Sequence, residues 1–256
     1  GAWPRGTPYQ ITVAEEPPPL SPRRDVETLP VQASYVLLGF PSIRLADPDL
    51  YPLDVLASTL GHGRSSRFYE QLVRKTQVAQ VVSASNYTPF DPGVFSIFLR
   101  AEPSKAEEAI AQALAIMQDV ARAGVTAPEL EKAKRQVMAD YVFQHQTVES
   151  KAYELASSLA MTGDPDYNRR YVEGIGRVTR EQVQRVAQRY LDPGVMTTTM
   201  IQPPGQSAQD AAAEEVPAVE ITKTTLPNGV RLLIGVDRHL PLAAVTAVSL
   251  GGVRAE

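Results

Sequence analysis

Helix-forming sequence in this chain is gathered between strand-like runs instead of alternating with them, and that arrangement is its strongest constraint. From Glu129 to Met161 there is neither Gly nor Pro. That stretch exceeds the usual length of a globular helix, so a bend or break inside it is expected. Thr126-x-x-Glu129 opens it as a capping box, with Pro128 tolerated in the first turn. A further box, Ser104-x-x-Glu107, opens an earlier helix carrying Ile110, Leu114, Met117 and Val120 on one face and closed by Gly124. Asp164-Pro165 and Thr179-x-x-Gln182 start two more. The last carries Val183, Val186, Ala187 and Tyr190 and stops at Asp192-Pro193-Gly194.

Strand patterns flank this block. Val31–Leu38 is β-branched and aromatic, with Gly39 and Pro41 as its stop. Asp47-Pro48 then marks a helix start, with Leu50, Leu53, Ala57 and Leu60 as its stripe. Gly61-His62-Gly63 breaks that helix, and Ser65 or Ser66 caps a second one bearing Phe68, Tyr69, Leu72 and Val73. Val78–Tyr87 and Val94–Leu99 read as a long hairpin, and Val195–Ile201 as the strand after the helices. The order is strand, two helices, two strands, several helices, strand. It predicts an α+β layer with a mostly antiparallel sheet, not a doubly wound parallel one.

Composition divides the chain. Residues 1–21 are proline-rich and read as an extended lead-in, 22–203 as the main domain, and 204–219 as a linker of Pro, Gly, Gln, Ser, Ala, Asp and Glu. Residues 220–256 hold Ile221–Thr225, the turn Leu226-Pro227-Asn228-Gly229, Val230–Val236 and a third run, Leu242–Leu250. Three strands without a helix are too few for a domain, so this tail reads as the truncated start of a second unit. The Gly1-Ala2-Trp3 opening likewise reads as the interior of a longer gene.

Charge and residue counts exclude several functions. Lys+Arg is 25 against Asp+Glu 29, a net charge of -4, without the basic excess of a nucleic-acid binder. With no cysteine, a disulfide scaffold, a thiolate zinc site and a cysteine nucleophile are excluded. No apolar run approaches the roughly 18 residues of a membrane span. A soluble protein of the cytoplasm or the periplasm is expected, with neither nucleic acid nor membrane as partner.

The candidate chemistry is sparse. His145 and Glu149 lie four apart on a helix and could share a metal, but no second histidine is near, and an exposed pair is the better reading. His62 and His239 read as surface residues. Gly61-His62-Gly63-Arg64-Ser65-Ser66 could cradle a phosphate, but it follows a helix, not a strand, and has no lysine at the required place. It reads as a helix–helix corner. Arg169, Arg170, Arg177, Arg180, Arg185 and Arg189, interleaved with Glu173 and Glu181, read as a solvated face. No catalytic residue and no metal site is expected in this segment.

Taken in order, these motifs carry a resemblance. Gln32–Phe40, the Asp47-Pro48 helix and Leu60-Gly61-His62-Gly63-Arg64-Ser65-Ser66-Arg67-Phe68-Tyr69 resemble the C-terminal-type domain of the M16 zinc metallopeptidases. So do Gly124-Val125-Thr126-x-x-Glu129-Leu130-x-x-Ala133-Lys134 and the run from Val178-Thr179 to Tyr190-Leu191. The likeness spans about 22–203. Leu226-Pro227-Asn228-Gly229-Val230-Arg231 and Gly251-Gly252-Val253-Arg254-Ala255-Glu256 resemble the opening strands of the next M16 repeat.

The resemblance implies the two-layer fold shared by LuxS and the mitochondrial processing peptidase. It implies a non-catalytic domain in the wall of a chamber that encloses unfolded peptide. Partners would be other M16 domains of the same chain or of a partner subunit. Zinc would sit in a separate catalytic domain, on an H-x-x-E-H helix that this sequence does not contain. Family members use an Arg and a Tyr from a C-terminal-type domain; Val73 and Gln80 occupy those positions here, with Arg74 one step off. The alternative is a structural or interaction subunit on the same fold, without peptidase activity. Apolar strand edges in the tail add a further expectation: packing on residues 22–203, or a homodimer through the tail strands.

Overall fold

The computed structural model describes residues 17, 19–144, 146–204, 221–228 and 231–235. The chain separates into two compact units, residues 1–205 and 206–256.

In the first unit β1 (Arg23–Thr28), β2 (Ser34–Pro41), β3 (Val81–Tyr87), β4 (Val94–Ala101) and β5 (Thr197–Gln202) form one sheet in the order β1-β5-β2-β4-β3. Only the β1–β5 pairing is parallel. Alternation sets the faces: Val36, Leu38 and Phe40 of β2 and Phe95, Ile97 and Leu99 of β4 point into the core, while Tyr35 and Leu37 point away from it. The expectation of an α+β layer with a mostly antiparallel sheet holds. β2 runs through Gly39 to Pro41, because Gly39 and Phe40 still pair with Ser96 and Phe95 of β4. β1 was not anticipated. All of it is exposed, so it has no buried face to produce an alternating pattern. Arg24 anchors it by a bidentate pair with Glu107.

The helices are α1 (Leu50–Gly61), α2 (Ala106–Ala123), α3 (Ala127–Gln144), α4 (Val148–Thr162), α5 (Tyr167–Arg177) and α6 (Arg180–Tyr190). α1 is the central one. Leu53, Val55, Leu56 and Leu60 are 0% exposed, so it is apolar nearly all round, as a helix enclosed on several sides must be. It packs on β3 and against α3, α5 and α6. Its stripe begins as expected but its start lies two residues later. Asp47 accepts from the Asp49 N–H at 2.8 Å, an Asx turn before the helix, and Asp164 does the same for Asp166 before α5. Asp49 is itself buried and receives Arg185 at 2.5 Å, Tyr190 at 2.9 Å and Arg189 at 3.4 Å, tying the start of α1 to α6.

The Thr126/Glu129 and Thr179/Gln182 boxes form. The Ser104/Glu107 box does not: α2 starts at Ala106 behind a short 3-10 turn, and the Glu107 carboxylate is committed to Arg24. The long Gly-free stretch breaks between α3 and α4, where Thr147 and Ser150 make a reciprocal cap. Beyond the first corner, Tyr69–Lys75 winds as a π-helix, and the Leu72 carbonyl accepts from both Val78 and Ala79. Gln77 follows at φ 54, and the segment is wider than the 3.6-residue pattern implied.

In the second unit β6 (Ile221–Thr225) and β7 (Arg231–Gly235) pair antiparallel, the hairpin its Asn-Gly turn predicts. Gly229, the Leu242–Leu250 run, His239, His145, most of the lead-in and the 205–220 segment lie outside the described residues.

Candidate functional site

The glycine corner is a structural joint. Gly61 lies against the β3 backbone, Gly63 takes φ +74, and Ser66 Oγ donates to the Gly63 carbonyl at 2.8 Å. Arg67 reaches the start of α3, with Nε 2.7 Å and Nη2 2.9 Å from the two Glu129 carboxylate oxygens and Nη2 3.2 Å from the Gly124 carbonyl. Lys132 Nζ donates to the Ser65 carbonyl at 2.6 Å. The corner's polar groups are therefore engaged in holding α1 and α3 together.

Next to it a cleft of about 480 Å³ opens beside α1, α3 and α5. Asp54 of α1 projects into it. Its two carboxyl oxygens accept from Tyr171 Oη at 2.6 Å and Asn86 Nδ2 at 2.8 Å; Asn86 is oriented by Ser42 Oγ at 2.7 Å. Tyr171 stands among rings: its centroid is 5.9 Å from Tyr51, 5.6 Å from Tyr141 and 6.4 Å from Tyr167. His62 Nε2 lies 3.2 Å from Asp140 Oδ2 at the same cleft.

Burial pushes the Asp54 carboxyl up to about 6, and the Tyr171 and Asn86 hydrogen bonds offset only part of that. In the unfolded chain the group returns near 3.8. Its contribution to stability is thus full below about pH 4 and is lost as pH rises through about 6. Asp54→Asn should abolish this slope, worth roughly 3 kcal/mol. The new amide faces the Asn86 amide and adds an offset independent of pH. Melting temperatures of both proteins from pH 4 to 8 test this; parallel curves would refute it.

The sequence-level candidates do not assemble into a centre. Val73 is half-buried in the π-helix against the core, Gln80 is exposed just before β3, and Arg74 pairs with Glu70 one turn away. Among the described residues no three His, Cys, Asp or Glu side chains gather as metal ligands. His62 with Asp140 alone does not fit a zinc site, which needs three protein ligands. The basic face is only partly solvated. Arg169, Arg170 and Arg177 pair with neighbouring carboxylates, whereas Arg185 and Arg189 hold buried Asp49 and Arg180 Nε donates to the Val125 carbonyl at 2.8 Å. The cleft's polar residues were missed. The available signal was Asp54, a lone acid inside an otherwise apolar helical run.

The architecture is that of a two-layer α+β domain, a five-stranded sheet with its buried face covered by helices. The chain belongs to the peptidase M16 inactive domain family, whose sequence profile matches residues 1–137. It is 27% identical over 177 residues to the zinc protease PqqE of Helicobacter pylori, covering 68% of this chain and 39% of that protein. The crystal structure of a protease from Helicobacter pylori superposes with a TM-score of 0.69 at 26% identity, over 77% of this chain and 47% of that one. The peptidase M16 inactive domain from Pseudomonas fluorescens shares the fold at a TM-score of 0.69 and 17% identity, over 78% and 48%. The chain thus spans about two fifths of the length of the curated relative it matches. No helix among the described residues is long and apolar enough to cross a membrane.

Proposed function

We propose that this chain is a wall domain of a longer M16-type zinc metallopeptidase: zinc is held by another domain, and this one helps enclose unfolded peptide. The inactive-domain match over residues 1–137 carries the reading. The similarity to a protein named a zinc protease, more than twice this chain's share in length, supports it. The partners are other M16 domains, of the same chain or of a second subunit. With Val73 and Gln80 in place of an Arg and a Tyr, this domain supplies neither a cation nor a phenol to the reaction. Residues 204–219 then serve as a linker and 220–256 as the start of another repeat.

The test compares the 256-residue chain with the full-length gene product, measuring zinc after dialysis and cleavage of a quenched unfolded peptide. The chain should hold no stoichiometric zinc and cleave nothing; the full-length protein should do both. Tight zinc on this chain alone overturns the reading. A full-length product with neither zinc nor activity would make the protein a structural subunit instead. A version ending at Gly205 should keep the cooperative unfolding of the first unit.

A further inference from the structure

The cleft beside α1, α3 and α5 has a composition that the chamber role does not call for. Its volume, about 480 Å³, is that of a small-ligand site. The Asp54 carboxylate projects into it, and among the described residues no Lys, Arg or His forms an ion pair with that group. Each of its oxygens accepts one hydrogen bond from a neutral donor and keeps the capacity for another. Tyr167 lines the same space. Its hydroxyl oxygen is buried without a hydrogen-bond partner, and burial first, then the nearby Tyr51 and Asp54, oppose its ionisation. A buried polar atom left unpaired is costly, and calls for a ligand or a water.

We propose that this cleft binds a primary alkylammonium group, with Asp54 as its counter-ion, the Tyr167 hydroxyl as a second acceptor, and the rings of Tyr141, Tyr167 and Tyr171 beside its methylenes. An anion is disfavoured, because Asp54 and Asp140 both line the space. A neutral apolar ligand would leave the carboxylate and the hydroxyl unsatisfied. A guanidinium prefers to fork across both carboxylate oxygens, but Tyr171 and Asn86 already occupy one site on each. A compact ammonium with three divergent donors meets separate acceptors, and aromatic faces attract it. The source is either a free alkylamine or a lysine side chain of a peptide. This site is independent of where the protein's zinc resides.

The experiment is titration calorimetry on the 256-residue chain at pH 7.5 with cadaverine, with a short peptide carrying one lysine, and with the same peptide acetylated on that lysine. Binding of cadaverine alone assigns a free amine; binding of the lysine peptide but not of its acetylated form assigns a side chain. Asp54→Asn should weaken binding about tenfold or more, since it removes the charge. Tyr167→Phe deletes only a hydroxyl with no protein partner, so it should fold normally and weaken binding about threefold. The second variant keeps the test valid if the first fails to fold. Absence of binding by both amines, equal binding of the acetylated peptide, or unchanged affinity in Tyr167→Phe overturns the proposal.

Discussion

Gly61→Ala is expected to cost about 4 kcal/mol or more, a large part of the roughly 5–15 kcal/mol that holds an ordinary domain folded. A methyl at this position would lie 2.1 Å from the Ala84 backbone nitrogen, 2.7 Å from the Ala84 Cβ and 2.7 Å from the Ser83 carbonyl carbon. Two of the three are backbone of β3, and none is the end of a flexible side chain that could swing aside. α1 would have to lift from the sheet, and Leu56, Leu60 and Val82 would lose packing along the way. Gly63→Ala is the informative control. Nothing lies within 4 Å of its added methyl, so its cost is the left-handed φ of +74 alone, about 1 kcal/mol. Urea denaturation of both variants separates contact from torsion. A Gly61→Ala protein within 1 kcal/mol of the parent would mean that the helix does not approach the strand this closely.

Arg67→Ala should cost about 3 kcal/mol at neutral pH. The guanidinium is 21% exposed and Glu129 31%, so the pair stands between a surface bridge, worth under about 1 kcal/mol, and a buried one whose breakage costs 3–5. Removing it leaves a half-buried carboxylate, frees the Gly124 carbonyl and takes from Asp119 the more distant of its two cations, Arg67 at 3.5 Å against Arg122 at 2.9 Å. Arg67→Lys should recover less than half of the loss, because a single ammonium cannot bridge both Glu129 oxygens and Gly124. Arg67 holds the Glu129 carboxyl down to about 2, against 4.5 in an open chain, with help from the Thr126 N–H and hydroxyl. That stabilisation is present above about pH 4.5 and is lost as pH falls towards 2. The stability gap between parent and Arg67→Ala should therefore shrink over that interval, and chemical denaturation at pH 7 and pH 3 reads it. A gap of equal size at both would assign the loss to packing instead of charge.

Most of the residues that carry the family resemblance turn out to build the fold. Leu60 and Phe68 are core, Gly61 permits the helix–strand contact, Ser66 closes the corner and Arg67 clamps it to α3. Thr126 and Glu129 cap α3, Lys134 Nζ donates to the Val178 carbonyl at 3.1 Å, and Thr179 caps α6. Such motifs can be read along the chain because caps and turns act over three or four residues.

Local chemistry therefore determined the order of elements from β2 onward, the α+β class, the caps at Thr126 and Thr179, the glycine corner and the hairpin at 221–235. Where a long-range partner competes for the same group, the local signal failed. Glu107 serves Arg24, 83 residues away, and leaves the Ser104 box unmade. Arg185 and Arg189 look like surface charges in sequence but converge on Asp49, whose burial depends on α6 crossing the start of α1. β1 shows no pattern because neither of its faces is buried. The cleft was decided wholly by tertiary packing. Asp54, Asn86, Tyr141, Tyr167 and Tyr171 come from four elements with no shared periodicity, and the carboxyl's displacement to about 6 arises from desolvation, which exists only once α1 is enclosed.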